Sequence, residues 1–303
     1  MDGDEKMKMT PCSEKWCNHI DITNKCHIGD CSYCSRYIRH IPQEKRYEMS
    51  LEDIDKALDA YKGMRGLIGI MGGEPLTHPK FAEICELIRL KYPPEKMHLF
   101  TSINPNLSKF RDEVYKTFRH VAVNEHTMFQ NSVGLHQPFT LAVRDMVENE
   151  ELRIELIKDC WFGKNWCGTV TPLGAYHCEI GASIAYALGV KGWDVEPRWW
   201  ERGDIGEQEM FCQLCGACIP MERQAPVNKK QKMSVSVYQI LSENDLIVGD
   251  IELVTKPFTV EYMAKWAKIW APGNYRGDID QGEALGSNID WGKWDGKVKK
   301  ETA

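Results

Sequence analysis

The sequence predicts an α/β fold with a parallel sheet, followed by a small cysteine-rich region. Three observations carry this reading. Strand-length apolar runs alternate with amphipathic helical stretches between residues 19 and 124. That alternation is the pattern of βαβ units, whose right-handed crossovers wind into a barrel or a doubly wound sheet. Thiols gather in two separate groups, at 26–34 and at 160–218. The character of the chain also changes at residue 160, where cysteine and tryptophan become frequent.

Taken in order, residues 1–18 read as an irregular leader carrying Cys12, Trp16 and Cys17, the two cysteines incidental. Residues 19–24 alternate apolar and polar as a strand does. Ser50 opens a helix, with Asp53 three residues later as in a capping box. Leu51, Ile54, Leu58 and Tyr61 then recur at helical spacing. Leu67–Ile68–Gly69–Ile70–Met71 is a buried strand. A second helix starts near Pro79, which suits a first turn. Its apolar face is Phe81, Ile84, Cys85 and Ile88, and Tyr92–Pro93–Pro94 ends it. Residues 97–100 form a third strand. A third helix shows Leu107, Phe110, Val114 and Phe118, and residues 120–124 form a fourth strand. Residues 139–143 are assigned a fifth strand and 145–158 a helix. A helix over 234–241, one or two strands over 245–254 and a helix over 259–270 follow. The Gly- and Asp-rich tail from Gly273 is read as partly disordered.

Composition bounds the function. With 303 residues, 43% of them hydrophobic, the chain has room for a large core and for one domain or two. A net charge of -6 and the short Lys229–Lys230–Gln231–Lys232 patch give no nucleic-acid tract. No secretory signal and no membrane-length apolar run is visible. The 12 cysteines sit in tight gaps rather than in a small secreted scaffold. This argues for metal ligation in a reducing cytoplasm.

The first thiol group is Cys26, Cys31 and Cys34, spaced Cys-x4-Cys-x2-Cys on a loop that leaves a strand. Three thiolates leave one iron of a 4Fe–4S cluster free for another ligand. A zinc ion with a fourth ligand from elsewhere fits the same thiols. Gly72–Gly73–Glu74–Pro75 follows the next strand. This order, with Tyr33 as the aromatic residue before the last cysteine, resembles the radical S-adenosylmethionine (SAM) enzyme family, although the first gap there is commonly three residues. The resemblance implies a partial (β/α)6 barrel over 19–158. It implies a SAM-binding 4Fe–4S cluster on Cys26, Cys31 and Cys34, and a SAM site near Tyr33, Gly72, Gly73, Glu74 and Pro75. Ser102 and Asn104 are candidates for the ribose, and Asn124 and Glu125 are weaker ones. All follow strand ends, the face that carries chemistry in parallel α/β barrels.

The second group is Cys160, Cys167, Cys178, Cys212, Cys215 and Cys218. A Pro-Leu-Gly turn between Cys167 and Cys178 predicts a hairpin. A cysteine ending a hairpin and then a Cys-x2-Cys looks like the SPASM or twitch extension of that family. The resemblance implies a second 4Fe–4S cluster over 159–225 on Cys160, Cys178, Cys212 and Cys215, with Cys167 and Cys218 as substitutes. A structural zinc ribbon is the competing reading. Residues 226–303 are then an extension packed on the barrel. Trp193, Arg198, Trp199, Trp200, Glu201 and Arg202 crowd between the cysteines. Packing around the second cluster, or stacking on substrate by Trp199 and Trp200 with Arg198 and Arg202, would use them.

The activity so implied is reductive cleavage of SAM and removal of a hydrogen atom from a small-molecule or modified-biomolecule substrate. A one-electron donor such as flavodoxin or ferredoxin would supply the electron. The second cluster favours net oxidation. Isomerisation of a sugar, nucleotide or modified base stays open, as does a zinc-stabilised binding module without catalysis.

Overall fold

A computed structural model of the chain describes residues 7–29, 31–102, 106–124, 136–224, 230–268 and 289–294. Its frame is a six-stranded sheet in the order β4-β3-β2-β1-β5-β6. β1 is Cys17–Thr23, buried along its whole length. The leader therefore gives the sheet its first two residues. A turn over Cys12–Glu14 precedes β1, and both Cys12 and Cys17 are fully buried.

α1 (Leu51–Ala60) starts where the sequence predicts, because Ser50 Oγ accepts from the Asp53 amide at 3.0 Å. β2 (Leu67–Gly72) follows and pairs parallel with β1. α2 (Phe81–Lys91) buries Phe81, Ile84, Cys85 and Ile88, so Cys85 is a core residue. β3 (Met97–Ser102) pairs parallel with β2. The single third helix expected from the sequence is two, α3 (Asn106–Lys109) and α4 (Arg111–Thr117), broken at Phe110. β4 (His120–Asn124) closes this edge.

Both faces of the sheet are covered, as parallel sheets require. Ile20, Ile22, Ile68, Ile70, Met97 and Leu99 pack against α1, α2 and α4 on one face. The alternate residues Cys17 and Phe100 turn to the other face, toward Phe139, Phe162, Trp166 and Tyr176. His19 joins them there, its ring 4.9 Å from that of Phe100.

The fifth strand expected at 139–143 is not one. These residues make turns that lead into α5 (Val143–Met146). Their backbone partners are distant: Phe139 O accepts from Gly216 N, Val143 N donates to Cys215 O, and Thr140 O accepts from Ser234 N. An apolar run whose hydrogen bonds are taken by loops cannot also join a ladder. α6 (Glu150–Lys158) begins at Asn149, whose side chain caps the Leu152 amide.

The predicted hairpin is present as β5 (Thr169–Thr171) and β6 (Gly174–Tyr176). It lies in the main sheet, since β5 pairs parallel with β1 and antiparallel with β6. The sheet thus crosses the change in sequence character at 159. α7 (Glu179–Leu188) covers the face that carries His19, and α8 (Glu209–Gln213) packs beside it.

β7 (Lys230–Ser234), α9 (Val235–Glu243) and β8 (Asp250–Val254) form a separate two-stranded parallel unit. α10 (Val260–Ala267) packs Met263 with Leu152 and Leu156 of α6. It stops short of the predicted end, and Trp270 and the tail from Gly273 lie outside the described residues.

Candidate functional site

Cys26, Cys31 and Cys34 lie on the loop that leaves the end of β1, and all three are half-buried. Burial pushes the Cys26 thiol up, while the backbone N–H groups of Gly29 and Ile28 work to lower it. Cys34 is pushed up in the same way, against N–H groups of Ile38 and Arg36. The charge of Cys26 bears on Cys34, so the two sulfurs are neighbours. Burial alone favours the neutral thiols, and the backbone donors are what would help hold thiolates on a metal.

Gly72 and Gly73 hold this loop in place. Gly73 N donates to Thr23 O at 2.7 Å, and Glu74 N donates to Lys25 O at 2.9 Å. A Cβ on Gly73 would stand 2.3 Å from Lys25 O, and one on Gly72 would stand 2.0 Å from Thr23 O. No side chain fits between the end of β2 and the residue before Cys26.

Glu74 is fully buried. Its Oε1 accepts from Leu76 N at 3.1 Å and Thr101 Oγ1 at 2.6 Å. Its Oε2 accepts from Ser102 N at 2.7 Å and Ser102 Oγ at 2.6 Å. Pro75 begins the short turn that Glu74 caps. The carboxylate thus ties the end of β2 to the end of β3, and its charge reaches Cys26. Ser102 is brought to Glu74 as its hydrogen-bond donor. Asn104 and Glu125 lie outside the described residues, and Asn124 is placed only by its register opposite Ser102. Tyr33 is buried, and its hydroxyl accepts from Lys232 N at 2.8 Å. It joins the cysteine loop to β7.

The second group surrounds a cavity lined by Cys160, Cys178, Cys212, Cys215 and Cys218, with His177 beside them. Burial pushes all five thiols up, Cys160 to about 12. Backbone N–H groups again oppose it: Gly163 and Phe162 at Cys160, Gly181 and Ile180 at Cys178, Ala217 at Cys215. The chain from Cys160 makes a single π turn, Phe162–Trp166, which turns those amides toward the sulfur. Cys167 is elsewhere, its Sγ 3.3 Å from Glu179 Oε2.

Glu179, Arg36, Asp21 and His19 form a buried charged network that the sequence reading did not single out. Arg36 reaches Asp21 Oδ2 through Nε at 3.0 Å and Glu179 Oε2 through Nη2 at 2.9 Å. Trp166 Nε1 also donates to Glu179 Oε2, at 3.1 Å. The ligand-type atoms of His19, Cys167 and Glu179 lie within 4.8 Å of one another. Arg36 already brings a positive charge to that carboxylate, and burial holds His19 and Cys167 toward their neutral forms, so Glu179 serves an ion pair with Arg36. A carboxylate directly after Cys178, opening an apolar helix, was the available signal.

The tryptophan-arginine stretch does not line the cavity. Trp199 and Trp200 are buried against α1, with Trp200 Nε1 donating to Ala60 O at 2.9 Å. Arg198 pairs with Glu201 and Arg202 with Glu196 at the surface.

Residues 20–136 match the family described as the radical SAM superfamily. This stretch of the chain is thus similar to the radical SAM superfamily. Proteins matching this family use SAM and a 4Fe–4S cluster. No curated protein matches the chain. Among solved structures the chain is similar to BtrN in complex with AdoMet and 2-DOIA, at 12% identity and a TM-score of 0.40, over 66% of this chain and 88% of that one. It is also similar to selenomethionine BtrN in an open conformation, at 12% identity and a TM-score of 0.35, over 67% and 87% of the two chains. No helix among the described residues is long and apolar enough to cross a membrane.

Proposed function

We propose that this radical SAM protein is an oxidising enzyme that carries a second iron–sulfur cluster. The observation that carries the reading is the cavity ringed by Cys160, Cys178, Cys212, Cys215 and Cys218. A zinc ion draws four thiolates to about 2.3 Å from one point and leaves no cavity between them. Five thiols spread around a space, three of them met by backbone N–H groups, suit a larger sulfur-bridged cluster. We assign its ligands as Cys160, Cys178, Cys212 and Cys215. The twitch form of the auxiliary extension is the matching arrangement.

The residues of the first site fit SAM and its cluster. Cys26, Cys31 and Cys34 would hold three irons, and the backbone of Gly72, Gly73 and Glu74 would meet the amino end of SAM. When bound, this pair supplies a 5′-deoxyadenosyl radical that takes a hydrogen atom from the substrate. A second cluster gives the electron left on the substrate somewhere to go, which favours dehydrogenation over rearrangement. Flavodoxin or ferredoxin suits the electron-donor role.

Anaerobically reconstituted protein should be brown, absorb broadly near ~400 nm and hold about eight irons per chain. With dithionite and SAM it should release 5′-deoxyadenosine. About four irons would remove the second cluster from the reading, and zinc alone would remove both.

A further inference from the structure

Lys15 is buried, 2% exposed, and no carboxylate partners it among the described residues. Its Nζ donates to His177 O at 2.6 Å and meets His177 Nε2 at 3.2 Å. The backbone fixes it there: Lys15 N donates to Cys12 O, and Trp16 N donates to Asn165 O. A buried ammonium without a counter-ion is heavily penalised, so the site calls for a nearby negative charge. His177 precedes Cys178 and lines the cavity of thiols. An ammonium can only donate, so His177 Nε2 accepts and its proton sits on Nδ1. That Nδ1 is buried with no partner.

We propose that Lys15, held in place by His177, forms the positive wall of the second cluster. The Lys15 ammonium balances the negative charge of a core held by four thiolates. It also holds the His177 ring beside the cavity through Nε2. The inference rests on the second-cluster reading above. Lys15 Nζ sits on the carbonyl of the residue before Cys178, at the edge of the cavity that Cys160 and Cys178 line. Charge and sulfur hydrogen bonds set the potentials of such clusters. Adding an electron to a cluster is easier beside a cation. Lys15 and His177 are therefore positioning residues that raise the potential of the second cluster and help it accept an electron from substrate.

The test is an EPR-monitored redox titration of the anaerobic full chain, with iron counts, for wild type, Lys15→Met and Lys15→Arg. Lys15→Met should keep about eight irons, lower the potential of the second cluster and leave the SAM-binding cluster unchanged. Lys15→Arg should stay near wild type. The iron-free Lys15→Met protein should melt above iron-free wild type, because an unpaired buried charge has gone. Full iron with an unmoved second potential would overturn the proposal. If Lys15→Met loses the second cluster, Lys15→Arg must restore it, and failure to do so overturns the role of charge. About four irons in wild type would instead defeat the second-cluster reading itself, and this inference with it.

Discussion

Arg36 donates through Nη2 to Glu179 Oε2 at 2.9 Å, and this contact joins the two cysteine sites. Arg36 stands two residues after Cys34, and Glu179 directly follows Cys178. Burial works to raise the Glu179 carboxyl, yet the Arg36 guanidinium holds it well below the usual carboxylate range. Asp21 shares Arg36 but keeps less of it, and burial pushes its carboxyl up to about 7. The loop of one site and the helix start of the other are therefore positioned by one buried ion pair.

Removing Arg36 strands two carboxylates in a dry interior, while removing Glu179 leaves Arg36 with Asp21 alone. Arg36→Met should cost about 3–5 kcal/mol of stability, read by chemical denaturation of the iron-free chain, and Glu179→Ala less. The double variant Arg36→Met with Glu179→Leu should be less damaged than Arg36→Met alone, since only Asp21 is then left without its partner. A Glu179→Ala curve that overlays wild type would show that the ion pair is not what holds these elements together.

Gly73 gives a cleaner separation of the two sites. The Cβ of Gly73→Ala would meet Lys25 O at 2.3 Å and Lys25 C at 2.7 Å, which is backbone that cannot swing aside. The variant should displace the first cysteine loop and lose that iron, keeping about four irons at the second site. Gly203→Ala is the control, because its Cβ would meet nothing closer than 3.5 Å. Full iron and normal SAM binding in Gly73→Ala would show that the loop does not depend on this close approach.

Glu74 accepts four hydrogen bonds, about as many as a carboxylate can take. Glu74→Gln replaces one acceptor atom by a donor facing Thr101 or Ser102, and should cost roughly 1–3 kcal/mol. Glu74→Ala frees the turn at Pro75 as well. It should weaken SAM about tenfold by calorimetry, by displacing the Gly72–Glu74 backbone that the lost hydrogen bonds hold in place. An unchanged SAM affinity would confine Glu74 to holding β2 against β3.

Much of this architecture is legible in the sequence, and the exceptions share a cause. β2, β3 and β4 and the cap of α1 are written in local patterns: alternation, apolar runs, and Ser50 three residues before Asp53. The run at 139–143 misleads because its backbone partners, Gly216, Cys215 and Ser234, are remote in the chain. Lys15 and Arg36 look like surface charges until the fold buries them. The tryptophans at 199 and 200 suggest a site by composition, yet α1 takes both into the core. Spacing marks thiols well, because a cluster needs several close together. It says little of lone charges, whose partners arrive only with tertiary structure.

The ligands of the second site can be read by iron counts in a chain where Cys26, Cys31 and Cys34 are all alanine. Cys160, Cys178, Cys212 and Cys215 face one cavity and sense one another's charge. Alanine at each should abolish the iron. Cys167 sits against Glu179 and away from the cavity, so Cys167→Ala should keep it. Cys218 also lines the cavity, but a cubane that already holds Cys160, Cys178, Cys212 and Cys215 has no iron left for a fifth thiolate. Cys218→Ala should therefore keep most of the iron as well. An iron-free Cys218→Ala beside an iron-loaded Cys160→Ala would exchange the two, and make Cys212, Cys215 and Cys218 a three-thiol clasp closed by Cys178.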